Sequence, residues 1–139
     1  MMIDPTTTFW AMLADRLQKE EVVCLTTVQA NGTPQPNPVW FLWQNDSFLI
    51  FTTPQAKRLK HIAQNRQVAL NLNSAADGNQ VVVVTGRATI NEPPAGDDEW
   101  DPYLAKYAAG IQHLNMTPEI FRHSFSVAIR VTAGKIRGF

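Results

Sequence analysis

Apolar residues recur along the chain at two spacings, and these spacings divide it into helices and strands. Residues 6–20 carry apolar side chains three to four positions apart, which predicts an amphipathic first helix. Short segments that are β-branched, alternating or uniformly apolar predict strands. The predicted strands cover residues 22–29, 33–43, 48–53, 68–73, 80–91, 126–132 and 135–139, with Asn31-Gly32 as a two-residue hairpin turn and Ala133-Gly134 as a hinge.

Three further helices are predicted between the strands. One follows the corner Thr52-Thr53-Pro54, where Thr53 is a candidate N-cap and Pro54 suits the first helical position. Another spans about Asp101 to His113, and a short one begins at Thr117-Pro118-Glu119. Six or seven strands in meander order with helices between them predict a mainly β (α+β) domain over residues 1–139, closed as a small antiparallel barrel.

The second predicted strand has an unusual start. Pro34, Pro36 and Pro38 stand at alternate positions, so one side of the strand lacks three N–H donors and is expected to be an edge. The segment Val39–Trp43 is apolar on both faces, which predicts burial on one side and a subunit or ligand on the other. The run Val81–Val84 predicts a central strand.

Composition narrows the classes of function. The 12 basic and 12 acidic residues balance, which argues against nucleic acid or an anionic membrane as partner. The single cysteine, Cys24, is expected to be a buried small hydrophobe in a cytoplasmic protein. No transmembrane or signal segment is predicted.

No residue pattern predicts a catalytic centre. The three histidines lie far apart and have no partners at metal-ligand spacing, and no nucleophile, Walker or dinucleotide motif occurs. The acidic residues at 97–101 are read as a solvated face or as charges at a helix start. If the chain is an enzyme, a cofactor is expected to bring the reactive group.

Positive charge is concentrated where a helix should disfavour it. Lys57, Arg58 and Lys60 fall in the first turns of the predicted second helix, and no Asp or Glu lies between Asp46 and Asp77. The amino end of a helix already carries about half a positive charge, so this placement predicts a bound phosphate. The alternative is a solvated basic helix face.

Several strings in this order resemble the flavin-binding split-barrel superfamily that includes pyridoxamine 5'-phosphate oxidase. The resemblance is closer still to the small flavin- or deazaflavin-dependent reductases. It rests on residues 21–28, 35–41, 130–132 and 136–139, and therefore covers nearly the whole chain.

The resemblance implies a homodimer with cofactor sites at the subunit interface. It assigns the flavin ring to the strand residues Pro38, Val39, Trp40 and Phe41. It assigns the phosphate to Thr52, Thr53, Lys57, Arg58 and Lys60. Gln80 matches a glutamine that reaches the flavin from the partner subunit, and Phe139 falls near an aromatic residue beside the ring.

The resemblance also implies the activity, with FMN as cofactor and hydride transfer to a small conjugated or quinone-like substrate. The chain lacks the carboxyl-terminal Arg and His pattern of the true oxidase, so oxidation of vitamin B6 is not expected. An F-420-type deazaflavin is the alternative cofactor, disfavoured because the basic surface is expected to stop at one phosphate and to be too short for its anionic tail. A non-catalytic flavin- or haem-binding module and a cofactor-free dimer remain alternatives, as do plain packing for Trp40 and Trp43 and an ordinary strand role for Gln80.

Overall fold

Seven strands and five helices make up the described part of the chain. The structure is a computed structural model, and it describes residues 8–138. The strands are β1 (Val22–Val28), β2 (Pro34–Trp40), β3 (Leu42–Gln44), β4 (Ser47–Thr52), β5 (Gln67–Leu72), β6 (Val82–Ile90) and β7 (Val127–Gly138). The helices are α1 (Thr8–Lys19), α2 (Lys57–Gln64), α3 (Asp97–Lys106), α4 (Ala108–His113) and α5 (Pro118–Ser124).

The strands form one antiparallel sheet that curls back on itself. Its order is β2-β1-β5-β6-β7-β4-β3, so β2 and β3 are the two edges. In the chain, however, only Phe41 separates the end of β2 from the start of β3. Consecutive Cα atoms are about 3.8 Å apart, so the two edges must meet at this corner. The sheet is therefore a split barrel, as predicted from the sequence.

Two hydrophobic cores lie on opposite faces of the sheet. Along β4, Phe48 and Ile50 pack in one core, while Leu49 and Phe51 pack in the other. The first core lies under α1 and α2. The second lies under α3, α4 and α5, which we call the cap. The cap thus covers a sheet face that would otherwise be exposed to solvent.

The cap changes the interpretation of residues 39–43. The sequence predicted a subunit or ligand on one face of this segment. In the structure Val39 and Phe41 join the first core, while Trp40 and Leu42 pack against the second core, which belongs to the same chain. Trp43 packs against the first core beside Phe48, with ring centroids 4.9 Å apart.

Phe41 interrupts the strand ladder, and the cap supplies hydrogen bonds to its backbone. The Phe41 N–H donates to the Tyr107 hydroxyl at 2.8 Å. The same hydroxyl lies 2.7 Å from the carbonyl oxygens of Phe41 and Glu21, and its one proton can be donated to only one of them at a time. Lys106 Nζ also donates to the Phe41 carbonyl, at 2.9 Å. The corner between the two edges is therefore fixed by adjacent residues at the end of α3.

The start of α2 differs from the prediction. The helix begins at Lys57, and its N-cap is Ala56, whose methyl side chain cannot accept hydrogen bonds from the free N–H groups. Thr53 is not the N-cap, because its carbonyl oxygen accepts a hydrogen bond from Ala56 N at 3.2 Å and closes a turn over Pro54. The basic residues consequently lie closer to the amino end of the helix than the sequence indicated.

Two predicted connections are also different. The first hairpin has a three-residue loop, because Gln29 N–H bonds to Thr33 O and Gly32 adopts φ 90°. The two last predicted strands are one strand, β7, in which Gly134 forms a bulge opposite Thr85 and Gly86. The hinge is thus an irregularity within a continuous strand.

The third predicted helix is two helices. It begins earlier than expected, at Asp97, and α3 ends at Lys106 before α4 starts at Ala108. The acidic residues at 97–99 are helix-start charges, as one of the two interpretations held. Glu99 pairs with the Arg130 guanidinium, which lowers the pKa of the Glu99 carboxyl.

The predictions for β2, for the valine run and for the start of the last helix are confirmed. The proline-bearing strand β2 is an edge, and the strand that contains Val82–Val84 is central. Thr117 caps α5 by accepting a hydrogen bond from Ile120 N. Over the described residues, no helix is long and apolar enough to span a membrane.

Replacing Tyr107 by Phe should destabilise the fold. We expect the free energy of unfolding to fall by about 1–3 kcal/mol, because the backbone groups at Phe41 lose their buried partner. Urea denaturation measures the change. Tyr103→Phe is the matched control, since its hydroxyl has no hydrogen-bond partner within residues 8–138. Equal losses in the two variants would contradict this role for Tyr107.

Lys106 should make stability depend on pH. Burial lowers the pKa of its amine from 10.5 to about 8, although Glu20 and Glu21 oppose the shift. The unfolded chain keeps this proton to higher pH, so the cost of burying the charge is present below pH 8 and is relieved as the pH rises toward 10.5.

Urea unfolding between pH 7 and about 9.5 tests this, because the free Tyr side chains of the unfolded state titrate above that range. The parent protein should gain stability across this range relative to Lys106→Met. The exposed residue Lys135 provides the control, and Lys135→Met should track the parent. Parallel profiles for the parent and Lys106→Met would show that the buried amine is not responsible.

Candidate functional site

Two clefts share the residue Arg58. One is a cavity of about 340 Å³ with mainly apolar walls, which we call the aromatic cavity. Its lining includes Pro38, Val39, Trp40, Phe51, Phe121 and Phe125, together with Arg58. The other is a polar cleft of about 320 Å³, lined by Gln29, Gln35, Asn37, Lys57, Arg58 and His61.

Strand β2 forms a continuous wall along both clefts. Gln35 and Asn37 line the polar cleft, whereas residues 38–40 line the aromatic cavity. The change from polar to apolar side chains occurs at Pro38. A ligand that lies along this strand would therefore meet polar groups at one end and aromatic groups at the other.

Arg58 is a partly buried cation without an acidic partner. Its guanidinium donates to the Thr52 hydroxyl at 3.1 Å, and Thr52 itself is only 2% exposed. Burial lowers the pKa of Arg58, which means that the protein provides less solvation than water for this charge. Across residues 8–138, the ion pairs involve other basic residues, so no carboxylate neutralises Arg58. An anion bound here would compensate both the charge and its lost hydration.

His61 adds a hydrogen-bonding side chain to the polar cleft. Its Nδ1 lies 2.9 Å from the hydroxyl of Thr27, which is buried in β1. This contact fixes the ring against the sheet. No functional signal for His61 is visible in the sequence, because its partner Thr27 is 34 positions away.

The apolar end of the site depends on aromatic packing from the cap. Trp40 stacks on Tyr107 with ring centroids 4.6 Å apart and an interplanar angle of 4°. Gly110 allows this position, because a Cβ atom there would lie 2.7 Å from the Trp40 ring. Phe51 stacks on Trp100 with centroids 3.6 Å apart. Packing is therefore established for Trp40, which also lines the cavity.

The cap residues were missing from the sequence-based site. Trp100, Tyr103 and Tyr107 recur at helical spacing, and Phe121 and Phe125 are four residues apart. This periodicity is a usable signal for an apolar face. It could not show that the face would pack on β2 and line the cavity.

The structure brings together only part of the predicted site. The aromatic cavity is lined by Pro38, Val39, Trp40 and Arg58, and the polar cleft is lined by Lys57. Phe41 and Thr52 are buried beside these residues, Thr53 is half-buried in the turn before α2, and Lys60 is exposed.

The two remaining predicted residues are elsewhere. Gln80 is exposed, with φ 59°, in the loop before β6. It belongs to the far end of the β5–β6 hairpin, where Leu72 pairs with Val82, whereas α2 leads into the opposite end at Gln67. Gln80 is thus remote from the Arg58 end within one chain, and it is not a strand residue. Phe139 lies outside the described residues.

The two clefts are not accompanied by a metal-binding cluster in the part of the chain that the structure describes. Among the described residues, no group of three or more His, Cys, Asp or Glu side chains could hold a metal ion. The arrangement instead provides a cation for an anionic group, hydrogen-bonding side chains beside it and an aromatic cavity. Such a site suits a flat ring system that carries a phosphate.

Solved structures of similar fold come from several bacteria. An FAD-binding protein from Mesorhizobium loti is 16% identical, with a TM-score of 0.66 and 88% of each chain covered. A structure named F-420 reductase is 22% identical, with a TM-score of 0.63, and covers 88% of this chain and 94% of its own. A HupZ variant from Group A Streptococcus is 17% identical, with a TM-score of 0.63 and 98% of each chain covered. At these identities the likeness shows the fold.

The chain matches a protein family but no individual curated protein sequence. No curated protein sequence matches the chain significantly. The family model described as pyridoxamine 5'-phosphate oxidase matches residues 9–138, nearly the whole chain. Together with the split-barrel fold, this match shows that the chain belongs to the pyridoxamine 5'-phosphate oxidase family.

Proposed function

We propose that this protein binds FMN and acts as an oxidoreductase that transfers hydride to a small conjugated or quinone-like substrate. The family membership and the flavin-related names of proteins with the same fold support this class of activity. The cofactor would bind in the two clefts that share Arg58. A true pyridoxamine 5'-phosphate oxidase activity is not proposed.

The observation that carries the proposal is the position of Arg58. It is partly buried, has no carboxylate partner within the described chain and lines both the polar cleft and the aromatic cavity. A phosphorylated flavin has an anionic group and a flat ring in one molecule. In the proposed complex, Arg58, Lys57 and the polar cleft hold the phosphate, and the Pro38–Trp40 segment borders the ring.

The charge distribution favours FMN over a deazaflavin with an anionic tail. A longer tail would need further free cations beyond Arg58. Arg16 is paired with Glu20, and Lys19 is paired with Asp15. Arg66 has no salt bridge in the described chain, but it follows the opposite end of α2 from Arg58.

The protein's contribution to the reaction would be binding and exclusion of water. Flavin supplies hydride transfer when bound. In the proposed complex, the aromatic side chains of the cap would exclude water from the ring, and the β2 wall would orient it. Arg58 and the uncapped start of α2 anchor the anionic end, which positions the remainder of the ligand.

Binding of FMN should depend on its phosphate. The parent protein is expected to bind FMN much more tightly than riboflavin, and Arg58→Gln should lose about 1.5–3 kcal/mol of FMN binding while its riboflavin affinity changes little. Fluorescence titration of the apo protein measures all four affinities. The same titration with an F-420-type deazaflavin tests the choice of cofactor.

Arg66→Gln is the matched control for this experiment. Arg66 is exposed and lines neither cleft, so its loss changes only the long-range charge. Equal effects of the two substitutions, abolished by high salt, would identify a solvated basic face. Equal affinities for FMN and riboflavin in the parent protein would contradict a phosphate site.

We further propose that the functional unit is a homodimer. Because Gln80 is remote from Arg58 within one chain, its predicted contact with the cofactor requires the Gln80 of a second subunit. The exposed apolar residues Val22 and Leu114 lie at the cavity, and a partner would cover apolar surface there. Stable dimer interfaces commonly bury about 2,000 Å² or more.

The dimer and the role of Gln80 can be tested together. Sedimentation equilibrium at low micromolar concentration should give twice the chain mass. Gln80→Ala should weaken FMN binding without changing that mass, whereas Gln112→Ala, an exposed residue of α4, should leave binding unchanged. A stable monomer would overturn both the dimer and the shared site.

A further inference from the structure

Tyr103 is a buried tyrosine in the wall of the aromatic cavity. The residue is only 1% exposed, and its ring packs edge-on against Phe51 at 4.7 Å and beside Tyr107 at 4.8 Å. It lines the same cavity as Trp40 and Arg58. Its position is therefore fixed from both sides by aromatic neighbours.

The Tyr103 hydroxyl has no hydrogen-bond partner within residues 8–138. Its neighbour Tyr107 shows the opposite situation, with a hydroxyl bonded to the backbone at Phe41. Buried polar groups in folded proteins are nearly always satisfied, because an unmet hydrogen bond is costly. Tyr103 is therefore an exception that needs an explanation.

The Tyr103 hydroxyl is not fully enclosed by the protein. Among side chains of the described residues, the one fully enclosed polar atom without a partner is Gln44 Oε1. The Tyr103 hydroxyl also lacks a partner but is not enclosed in this way, and the space beside its residue is the cavity. The cavity is thus the adjacent space from which a ligand would approach the hydroxyl.

The chemistry of the site defines what the ligand must provide. Burial raises the pKa of Tyr103, so the phenol stays protonated and can donate a hydrogen bond. Arg58 is the charged group on the cavity wall, and most of the other lining side chains are apolar. A complementary ligand is a flat apolar ring with an oxygen acceptor.

We propose that Tyr103 is a specificity-determining residue that donates a hydrogen bond to a ring carbonyl of the ligand in the aromatic cavity. This inference rests on the proposed function, which supplies two sources of that chemistry. The carbonyl belongs either to the flavin ring or to a quinone-like acceptor. In both cases Tyr103 selects rings with a carbonyl over hydrocarbons of the same shape.

The test compares Tyr103→Phe with the parent protein by equilibrium dialysis. Lumiflavin has the flavin carbonyls without the phosphate, menadione is a two-ring quinone, and 2-methylnaphthalene has a similar shape without carbonyls. Menadione and 2-methylnaphthalene are tested with and without saturating FMN. Tyr103→Phe should weaken lumiflavin or menadione about 3- to 10-fold and leave 2-methylnaphthalene unchanged.

The ligand that responds identifies the source of the carbonyl. A loss for lumiflavin assigns the contact to the cofactor, and a loss for menadione in FMN-saturated protein assigns it to the acceptor. Unchanged affinities for both carbonyl ligands, or an equal loss for 2-methylnaphthalene, would overturn the proposal. Stability serves as a second readout, since Tyr103→Phe should unfold at the same urea concentration as the parent or a higher one.

Failure of this inference is distinguishable from failure of the proposed function. If the parent protein binds FMN but Tyr103→Phe changes no carbonyl ligand, only the role of Tyr103 is wrong. If the parent does not bind FMN, the proposed function fails, and menadione still tests Tyr103 in the apo protein.

Discussion

The single-residue corner at Phe41 constrains the rest of the structure. Its backbone joins the two edges of a seven-stranded sheet and is held by the Tyr107 hydroxyl and the Lys106 amine. Because both residues lie at the end of α3, the corner also fixes the cap. The stacking of Trp40 on Tyr107 follows from this arrangement, and so does the aromatic cavity. Closure of the barrel and formation of the site are thus one structural event.

The positive charge at the site is not explained by the packing of the barrel. The uncapped start of α2 and the unpartnered Arg58 both raise the local positive potential, and neither is needed to close the barrel. Elsewhere in the described chain, Arg130 and Arg16 are paired with carboxylates. The exception at Arg58 therefore carries more functional information than the total number of basic residues.

The sequence predicted the fold well because its signals are local. Alternating prolines marked β2 as an edge, the valine run marked β6 as central, and Thr117 marked the start of α5. The start of α2 was predicted wrongly because two successive threonines precede Pro54, and only the hydrogen bond to the Thr53 carbonyl shows which turn forms.

The site was less predictable because its contacts join distant segments. Arg58 was identified from the charge pattern, whereas Tyr103 and His61 were not, since their neighbours come from other parts of the chain. The predicted partner surface at residues 39–43 is largely covered by the cap of the same chain. A pattern of apolar residues indicates that a face is covered, but it does not identify what covers it.

The two edges of the sheet have a consequence for self-association. Residues 34, 36 and 38 contribute no N–H groups, so the outer side of β2 offers carbonyl oxygens without donors, while β3 has only three residues. Both features disfavour pairing with a further strand. Growth of the sheet from chain to chain, the first step toward fibrous aggregates, is therefore disfavoured at both ends, and side-chain surfaces are the favoured route for association of copies.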